Sequence, residues 1–213
     1  TSLNSTVLND TTISTNATLN LTAYLQGLYL GGGVMAAAPF NFDGVSSPTV
    51  ADTITVELHG TSSPYDMVYS VSDTLSTAGQ ASLLFPGGAL GNYYYIVVKH
   101  RNSVETWSAD SVLIGGTTSY DFSTSVNQAY NDGGANAPLV DDGTGIFLIY
   151  SGDITQDGAV DFNDYPDLDS ENLLGTYPAY LATDLNGDGI TDFNDYPLLD
   201  TNNLLGLLLQ RPY

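Results

Sequence analysis

The chain has 213 residues and a formal net charge of −21 at pH 7, with three lysine or arginine residues against 24 acids. Because phosphate recognition requires a basic surface, this composition argues against nucleic acid as a partner and against an anionic membrane surface. The sequence contains no cysteine, which excludes disulfides, thiolate metal sites and thiol catalysis. It has no apolar run long enough to predict a membrane span, and its length allows one or two domains.

Residues 1–18 form a segment rich in serine, threonine and asparagine, with scattered apolar residues but no local core. Such a segment is either a free polar tail or a strand added to a sheet edge, in the same chain or in a neighbouring subunit. We predict a donor strand. N-glycosylation sequons at Asn4, Asn9, Asn16 and Asn20 make a glycoprotein one expectation, although chance is the simpler explanation in so threonine-rich a stretch.

Residues 19–150 are predicted to form an Ig-like antiparallel β-sandwich, because short β-favouring runs are separated by turn-forming residues. The run 53–58 alternates polar and apolar residues, which predicts one solvent-exposed face. The run 93–98 does not alternate, which predicts a central strand covered on both faces. The predicted strands are 19–29, 53–58, 67–71, 81–85, 93–99, 104–109, 119–123 and 145–150.

Two long segments interrupt this strand pattern. The first, 31–42, is glycine-rich and apolar, and we interpret it as cover for an edge of the core. The alternative is a binding loop, since loops of this length are often functional. The second, 127–145, is expected to carry the chain across the sandwich toward the C-terminal region.

No catalytic constellation is apparent, and we predict that the protein is not an enzyme. His59 and His100 lie on predicted strands in unrelated contexts. The sequence has no nucleophile elbow, phosphate-binding glycine loop or zinc-protease motif. We interpret Lys99, His100 and Arg101, with Glu105, as the ion-paired end of a hairpin.

The region 151–213 contains two copies of an acidic motif, one beginning at Asp153 and the other at Asp184. Calcium prefers oxygen ligands, and a twelve-residue loop supplies them from positions 1, 3, 5, 7, 9 and 12. Gly158 and Gly189 stand at position 6, where such a loop turns sharply. We therefore predict two bound calcium ions. The predicted ligands are Asp153, Thr155, Asp157, the Ala159 carbonyl, Asp161 and Asp164 in the first loop, and Asp184, Asn186, Asp188, the Ile190 carbonyl, Asp192 and Asp195 in the second.

The two loops are not equally strong candidates. Each carries carboxylates at four positions, and these would repel one another without a cation. Position 12 is aspartate instead of the usual glutamate, which leaves its reach and denticity open. Thr155 is a weaker ligand than aspartate or asparagine, so we expect the first site to be the looser one.

The paired loops, each followed by one helix with a Leu-Leu end, resemble the duplicated calcium loops of a dockerin domain over residues 151–206. The resemblance implies that only the exit helix of each hand is present and that the two hands pack about a pseudo-twofold axis. In cellulosomal dockerins, polar pairs at positions 10 and 11 bind cohesin partners. Here those positions are Phe162-Asn163 and Phe193-Asn194, which departs from that pattern. We expect the two phenylalanines to be buried against the neighbouring domain instead.

A second resemblance covers residues 19–206. The tract 95–109, together with 21–27 and 149–153, is similar to a β-sandwich module that precedes dockerin-like repeats in large secreted Bacteroidetes surface proteins. This resemblance implies a secreted or cell-surface location. Scarce lysine and abundant threonine, tyrosine and glycine favour the same location.

These patterns together predict a mainly β protein, with a sandwich at 19–150 and a small helical dockerin-like calcium-binding domain at 151–213. The main functional prediction is a secreted, calcium-stabilised structural protein. It would be a homo-oligomeric subunit of an extracellular filament or surface layer, assembled by strand donation from residues 1–18. The alternative is a dockerin-type interaction or adhesion module that binds a cohesin-like protein or a surface glycan.

Overall fold

The computed structural model describes residues 16–175, 177–178 and 180–213. Within these residues the chain is rich in sheet and has few helices. The strands are β1 (Ala17–Thr22), β2 (Tyr29–Gly31), β3 (Val34–Met35), β4 (Val50–His59), β5 (Met67–Ser76), β6 (Gln80–Phe85), β7 (Tyr93–His100), β8 (Ser103–Trp107), β9 (Val112–Leu113), β10 (Thr117–Asp121), β11 (Val140–Asp141) and β12 (Phe147–Leu148). The α-helices are α1 (Ala38–Asp43), α2 (Tyr165–Leu174) and α3 (Tyr196–Leu205).

Two sheets pack face to face as a β-sandwich. One has the strand order β10-β1-β6, and the other has the order β5-β4-β7-β8, with β9 also pairing with β7. Aliphatic and aromatic side chains from both sheets form the main core. Each run that the sequence pattern predicted as a strand overlaps a strand of the structure. The prediction of a mainly β sandwich is therefore confirmed.

The prediction of a purely antiparallel sandwich is wrong at one pair of strands. β1 runs antiparallel to β6, with Leu19 opposite Leu83, but parallel to β10, with Leu21 opposite Tyr120. Parallel neighbours need a long crossover connection, and this connection includes the whole second sheet. Alternation along a strand reports which face is buried and not the direction of the neighbour, so the sequence pattern could not reveal this pairing.

The burial of β4 and β7 follows their residue patterns. In β4, Ile54, Val56 and Leu58 are fully buried. Thr53, on the opposite face of the strand, is exposed to solvent. In β7, the consecutive residues 96–98 are all buried, as expected for a strand with both faces covered. β7 lies between β4 and β8, which confirms its predicted central position.

The sandwich begins earlier in the chain than predicted. β1 starts at Ala17, which is fully buried in the main core, so the end of the predicted extension 1–18 belongs to the sheet. Within its own chain β1 has partners on both sides, β6 and β10. Residues 1–15 of the predicted donor strand lie outside the described residues.

The two C-terminal helices share the same start and stop signals. α2 and α3 each have a proline in the first turn, Pro166 or Pro197, where the missing N–H is no loss. Each ends at a glycine in the left-handed conformation, Gly175 or Gly206, both with φ of 63°. None of the helices within the described ranges combines the length and apolar character needed to cross a membrane.

A second, smaller core joins the C-terminal region to the sandwich. Leu168 of α2 and Leu199 of α3 are fully buried in it. Val104 of β8 and Tyr150 belong to the same cluster, so the sandwich supplies part of this core. The C-terminal region is therefore packed onto one end of the sandwich.

The segment 31–42 also contacts the C-terminal region. It contains β3 and most of α1. Met35 is buried, as expected for a residue that covers the core edge. Asn41 of α1 donates a hydrogen bond from Nδ2 to the Gly187 carbonyl at 2.7 Å. The segment thus covers the core and holds the second acidic repeat.

The segment 127–145 reaches the C-terminal region, as predicted. Asn136 donates from Nδ2 to the Leu205 carbonyl at the end of α3, at 3.0 Å. Gln210 donates from Nε2 to the Asn136 carbonyl, also at 3.0 Å. These two bonds fasten the chain after α3 to the sandwich loop.

Gly27 lies where the sandwich and the second repeat are very close. A Cβ at this position would be 2.1 Å from the Leu185 carbonyl oxygen, which belongs to the backbone. We expect Gly27→Ala to push the second repeat off the sandwich and to lower the free energy of unfolding by about 1–3 kcal/mol, measured by urea denaturation. Gly116→Ala is the control, because no atom lies within 4 Å of its Cβ position. Equal effects of the two substitutions would contradict the prediction.

Candidate functional site

The two acidic loops adopt the same backbone turn. Gly158 and Gly189 at position 6 have φ of 88° and 86°, in the left-handed region that favours glycine. Asp153 at position 1 is buried and accepts the N–H of Asp157 at 3.1 Å. Asp184 at position 1 of the second loop is buried too and accepts the N–H of Gly189 at 3.2 Å. The repeat in the sequence is therefore a repeat in three dimensions.

The aspartates at position 12 reach back across their loops. Asp164 and Asp195 are fully buried. Asp164 Oδ1 accepts the N–H of Thr155 at 3.0 Å. Asp195 Oδ1 accepts the N–H groups of Leu185 and Asn186 at 2.8 and 3.1 Å. The shorter aspartate side chain thus spans the loop to position 3.

At positions 5 and 9 of both loops, an aspartate Oδ1 accepts the backbone N–H two residues later, at 2.7 to 3.0 Å. These aspartates are Asp157, Asp161, Asp188 and Asp192. Ala159 and Ile190 at position 7 donate two of these N–H groups. At position 3, the Thr155 hydroxyl donates to the Asp164 carboxylate at 3.2 Å. Asn186 donates from Nδ2 to the Asp188 carboxylate at 3.1 Å. Local hydrogen bonds therefore connect several of the predicted ligand residues within each loop.

Burial raises the pKa of three of these carboxylates. Burial, and then the nearby charge of Asp164, raises the pKa of Asp153 to about 7. Burial raises the pKa of Asp184 to about 7, although the charge of Arg101 opposes the shift. Burial also raises the pKa of Asp195 to about 6. A cation between these carboxylates would favour their charged forms.

Within the described part of the chain, no group of three or more histidine, aspartate or glutamate side chains forms a compact metal cluster. The carboxylates at positions 5 and 9 accept backbone N–H groups of their own loops. The donor set itself suits calcium, since it offers only oxygen atoms, from carboxylates, a hydroxyl, an amide and backbone carbonyls. The loops thus have the donor chemistry of calcium sites.

A buried ion-pair cluster connects the sandwich to the second loop. The carboxylate of Asp52 in β4 lies 3.0 Å from both Arg101 Nε and His100 Nε2, and it accepts the hydroxyl of Tyr180. Arg101 Nη1 donates to the Asp184 carbonyl at 3.1 Å. The cluster therefore extends from β4 to position 1 of the second loop.

The charges of this cluster are strongly coupled. Burial by itself raises the pKa of Asp52, but the hydrogen bond to His100 and the charge of Arg101 outweigh it and hold that pKa well below its usual range. Burial lowers the pKa of His100, so Arg101 is the cation of this cluster at neutral pH. Burial and the hydrogen bond to Asp52 raise the pKa of Tyr180 to about 12. Asp52 is therefore a permanent anion at neutral pH.

The predicted ion pairs at the end of the β7–β8 hairpin are present. Lys99 Nζ lies 3.2 Å from Glu57 and 3.1 Å from Glu105. His59 Nε2 lies 2.8 Å from the same Glu57. Sequence reasoning missed Asp52, because it is far from this hairpin along the chain and only the pairing of β4 with β7 brings it there.

The phenylalanines at loop position 10 are exposed, so the expectation that they are buried against the sandwich is wrong. Phe162 is 79% exposed and Phe193 is 77% exposed. Each stacks on the tyrosine three residues later, Tyr165 or Tyr196, with ring centroids 5.9 Å apart. The C-terminal region contacts the sandwich through other residues, such as Asn202, which donates to the Ser151 carbonyl.

Reciprocal hydrogen bonds link the two C-terminal helices. The hydroxyl of Tyr165 in α2 donates to Asp200 of α3 at 2.7 Å. The hydroxyl of Tyr196 in α3 donates to Asp169 of α2 at 2.6 Å. This exchange relates the two repeats by an approximate twofold axis.

An exposed stripe runs along each helix from the stacked phenylalanine to its Leu-Leu end. Leu173 and Leu204 lie four residues beyond the hydrogen-bonded aspartates, on the same side of each helix, and are 88% and 87% exposed. We call the two stripes together the exposed helix face. It consists of Phe162, Tyr165, Asp169 and Leu173, with the equivalent residues Phe193, Tyr196, Asp200 and Leu204. Sequence reasoning missed it, although the repeated spacing of three, four and four residues was a visible signal.

No family model matches the chain, and no curated protein matches it significantly. Two solved structures are similar in fold, both of type II cohesin–X–dockerin complexes from Acetivibrio cellulolyticus, one an N-terminal and the other a C-terminal interface mutant. Each match has a TM-score of 0.50 and covers 87% of this chain and 94% of the other, at 15% and 14% sequence identity. At this identity the likeness establishes the fold alone, a sheet-rich β-sandwich architecture shared with a chain of cohesin–dockerin complexes.

Asp52→Asn tests the buried cluster. A carboxyl whose pKa is depressed by folding stabilises the protein above its unfolded pKa of about 3.9 and loses this contribution as the pH falls through the folded value. We expect Asp52→Asn to lower the free energy of unfolding by about 3 kcal/mol at pH 7, and by less below a pH of about 4. Urea unfolding on both sides of that pH measures the change. The exposed Asp66→Asn is the control, and a deficit for Asp52→Asn that does not vary with pH would contradict the prediction.

Proposed function

We propose that this protein is a calcium-stabilised interaction module of an extracellular or cell-surface assembly, and that its exposed helix face docks a cohesin-like protein. The observation that carries the proposal is the face itself. Its phenylalanine and leucine side chains are 77% to 88% exposed and occur in two equivalent stripes. Contiguous exposed apolar side chains on a soluble protein commonly mark an interaction surface.

The supports of the exposed helix face favour a docking role. Leu168 and Leu199, on the inner sides of the two helices, are fully buried. The reciprocal tyrosine–aspartate bonds hold the helices together on the outer side. A face that is rigid before binding loses little conformational entropy when a partner docks.

The structural neighbours also favour docking. They come from complexes in which a cohesin and a dockerin assemble. An alignment over 87% of a 213-residue chain is too long to lie within residues 1–150, so it also includes part of the region that carries the exposed helix face. The likeness therefore supports a function in which this region takes part.

Calcium has a structural role in this proposal. Asp164 and Asp195 at position 12 directly precede α2 and α3. The predicted ligands would close around one calcium ion in each loop, neutralise the buried carboxylates and fix the first turn of each helix. Because the stacked phenylalanines lie in these same loops, calcium would also set the shape of the docking face.

The filament hypothesis takes second place. It requires a donated strand, and β1 already pairs with β6 and β10 of its own chain. Strand donation would therefore have to come from residues 1–15, which lie outside the described residues. Binding of a surface glycan and enzymatic activity form no part of the proposal.

Calcium binding predicts a large change in thermal stability. We expect saturating calcium to raise the melting temperature by about 10 °C or more, because each bound ion stabilises only the folded state, and a chelator should reverse the change. Differential scanning calorimetry measures it. Asp164→Ala and Asp195→Ala should each remove one of two ions in a calorimetric titration.

The controls for calcium are magnesium and Asp167→Ala. Magnesium demands a tighter octahedral site, so it should stabilise the protein much less. Asp167 is an exposed acid outside both loops, so its substitution should leave two ions bound. Equal stabilisation by magnesium, or no effect of calcium, would show that the loops are not calcium sites.

The docking proposal predicts that Phe162→Ala combined with Phe193→Ala abolishes partner binding. Buried aromatic anchors dominate binding energy, so we expect a loss of at least about a hundredfold in affinity for a type II cohesin domain. Surface plasmon resonance against a panel of cohesin domains measures the loss.

Tyr93→Ala is the matched control, because Tyr93 is an aromatic residue of β7 that is 57% exposed on the sandwich. It should bind as the unmodified protein does. Far-ultraviolet circular dichroism and the melting temperature in calcium establish that the double variant is folded. Wild-type protein that binds no member of the panel, or a double variant that binds normally, would refute docking through this face.

A further inference from the structure

One tight turn contacts both acidic loops at their entries, by which we mean position 1 of each loop and the residues just before it. It consists of Arg101 and Asn102, which connect β7 to β8. The Asn102 carbonyl accepts the N–H of Gly152, next to position 1 of the first loop, at 2.7 Å. Asn102 Nδ2 donates to the carbonyls of Ala182 and Asp184 at 3.0 and 3.2 Å, and Asp184 is position 1 of the second loop. A single buried residue therefore ties the two loop entries together.

Arg101 reinforces the contact to the second loop. Its Nη1 donates to the same Asp184 carbonyl at 3.1 Å, while its Nε donates to the buried carboxylate of Asp52 at 3.0 Å. Its guanidinium also lies over the ring of Tyr180, 4.9 Å from the centroid. These contacts restrict Arg101, so the sandwich sets the position of the Asp184 backbone.

The turn is constrained even at a cost to its own hydrogen bonding. Arg101 Nη2 and Asn102 Oδ1 are buried without a hydrogen-bond partner in the described part of the chain. Burying a polar atom without a hydrogen-bond partner is unfavourable. A turn that only connected two strands could leave these atoms in contact with solvent. The contacts of this turn with the first residues of both loops account for its burial.

The second loop is held more firmly by the sandwich than the first. Asn41 Nδ2 donates to the Gly187 carbonyl at 2.7 Å, and Gly27 packs so closely on the loop backbone that a Cβ would not fit. From the first loop, Gln156 reaches the Ser103 carbonyl at 3.3 Å. An ion in the second loop would therefore meet a site that the sandwich has already ordered.

We propose that the Arg101–Asn102 turn couples the two calcium loops, so that an ion in the second loop strengthens binding in the first. This inference rests on the calcium binding proposed above. An ion bound by Asp184 would fix the carbonyl that holds the Asn102 side chain. The turn would then hold the N–H of Gly152 in place for Asp153. The ion that binds later, in the first loop, would then lose less conformational entropy in ordering that loop. This effect is positive cooperativity.

Calorimetric titration of the full chain with calcium tests the coupling. Asp195→Ala disables the second loop, so the affinity of the first loop can be compared with the second loop intact and disabled. We expect an intact second loop to raise that affinity about tenfold. Asn102→Ala removes the two side-chain bonds and keeps the backbone carbonyl, and it should reduce the ratio to near one. With Asp164→Ala, which leaves only the second loop, Asn102→Ala should directly weaken that remaining site.

Two further variants make the test specific. Asn102→Leu keeps a branched side chain with the same number of heavy atoms and should behave as Asn102→Ala does, which separates lost hydrogen bonds from a cavity. Asn92→Ala is the matched control, because Asn92 also donates to two carbonyls, those of Gly88 and Leu90, but within the sandwich. It should keep the tenfold ratio. An unchanged ratio in Asn102→Ala would overturn the coupling while leaving calcium binding intact, whereas a wild-type chain that binds no calcium would overturn both.

Discussion

Burial of the loop carboxylates is the constraint on which the C-terminal region depends. Asp153, Asp164, Asp184 and Asp195 are buried in a chain that has only three lysine or arginine residues. Backbone N–H groups satisfy their hydrogen bonding, but they do not neutralise charge. The charge of Arg101 lowers the pKa of Asp184, against the larger effect of burial. In the proposed function calcium supplies the counter-charge, and the folding of both loops is then linked to its binding.

The C-terminal region combines two similar repeats with an attachment to the sandwich that involves only one of them at some positions. The repeats match closely on the exposed helix face, and they differ where α3 meets the sandwich. Leu198 lies against Gly27, and Asn202 bonds to the Ser151 carbonyl, while the equivalent positions of α2 hold Asp167 and a glutamate. The two helices therefore differ at the positions where α3 contacts the sandwich. The shared face remains free in both.

Much of the fold was predictable because it is encoded locally. Strand burial follows from residue alternation, as in 53–58, and the central place of 93–98 follows from the loss of alternation. Gly158 and Gly189 predicted the loop turns, since few other residues adopt positive φ at low cost. The ligand spacing predicted two calcium sites, which stay a prediction. What these patterns could not provide was the neighbour of each strand, such as β10 beside β1, because pairing joins residues far apart in the chain.

The sequence by itself determined the strands of the sandwich, two acidic oxygen-rich loops and the helix that follows each loop, because each strand, loop and helix depends on residues within one short segment. Only the tertiary structure decided which surfaces are covered. It exposed Phe162 and Phe193, and it placed Asp52 beside Arg101. It also made Asn102 a link between both loops. Burial and long-range contact depend on how the C-terminal region docks on the sandwich, and that docking is a property of two complementary surfaces that no single stretch of sequence contains.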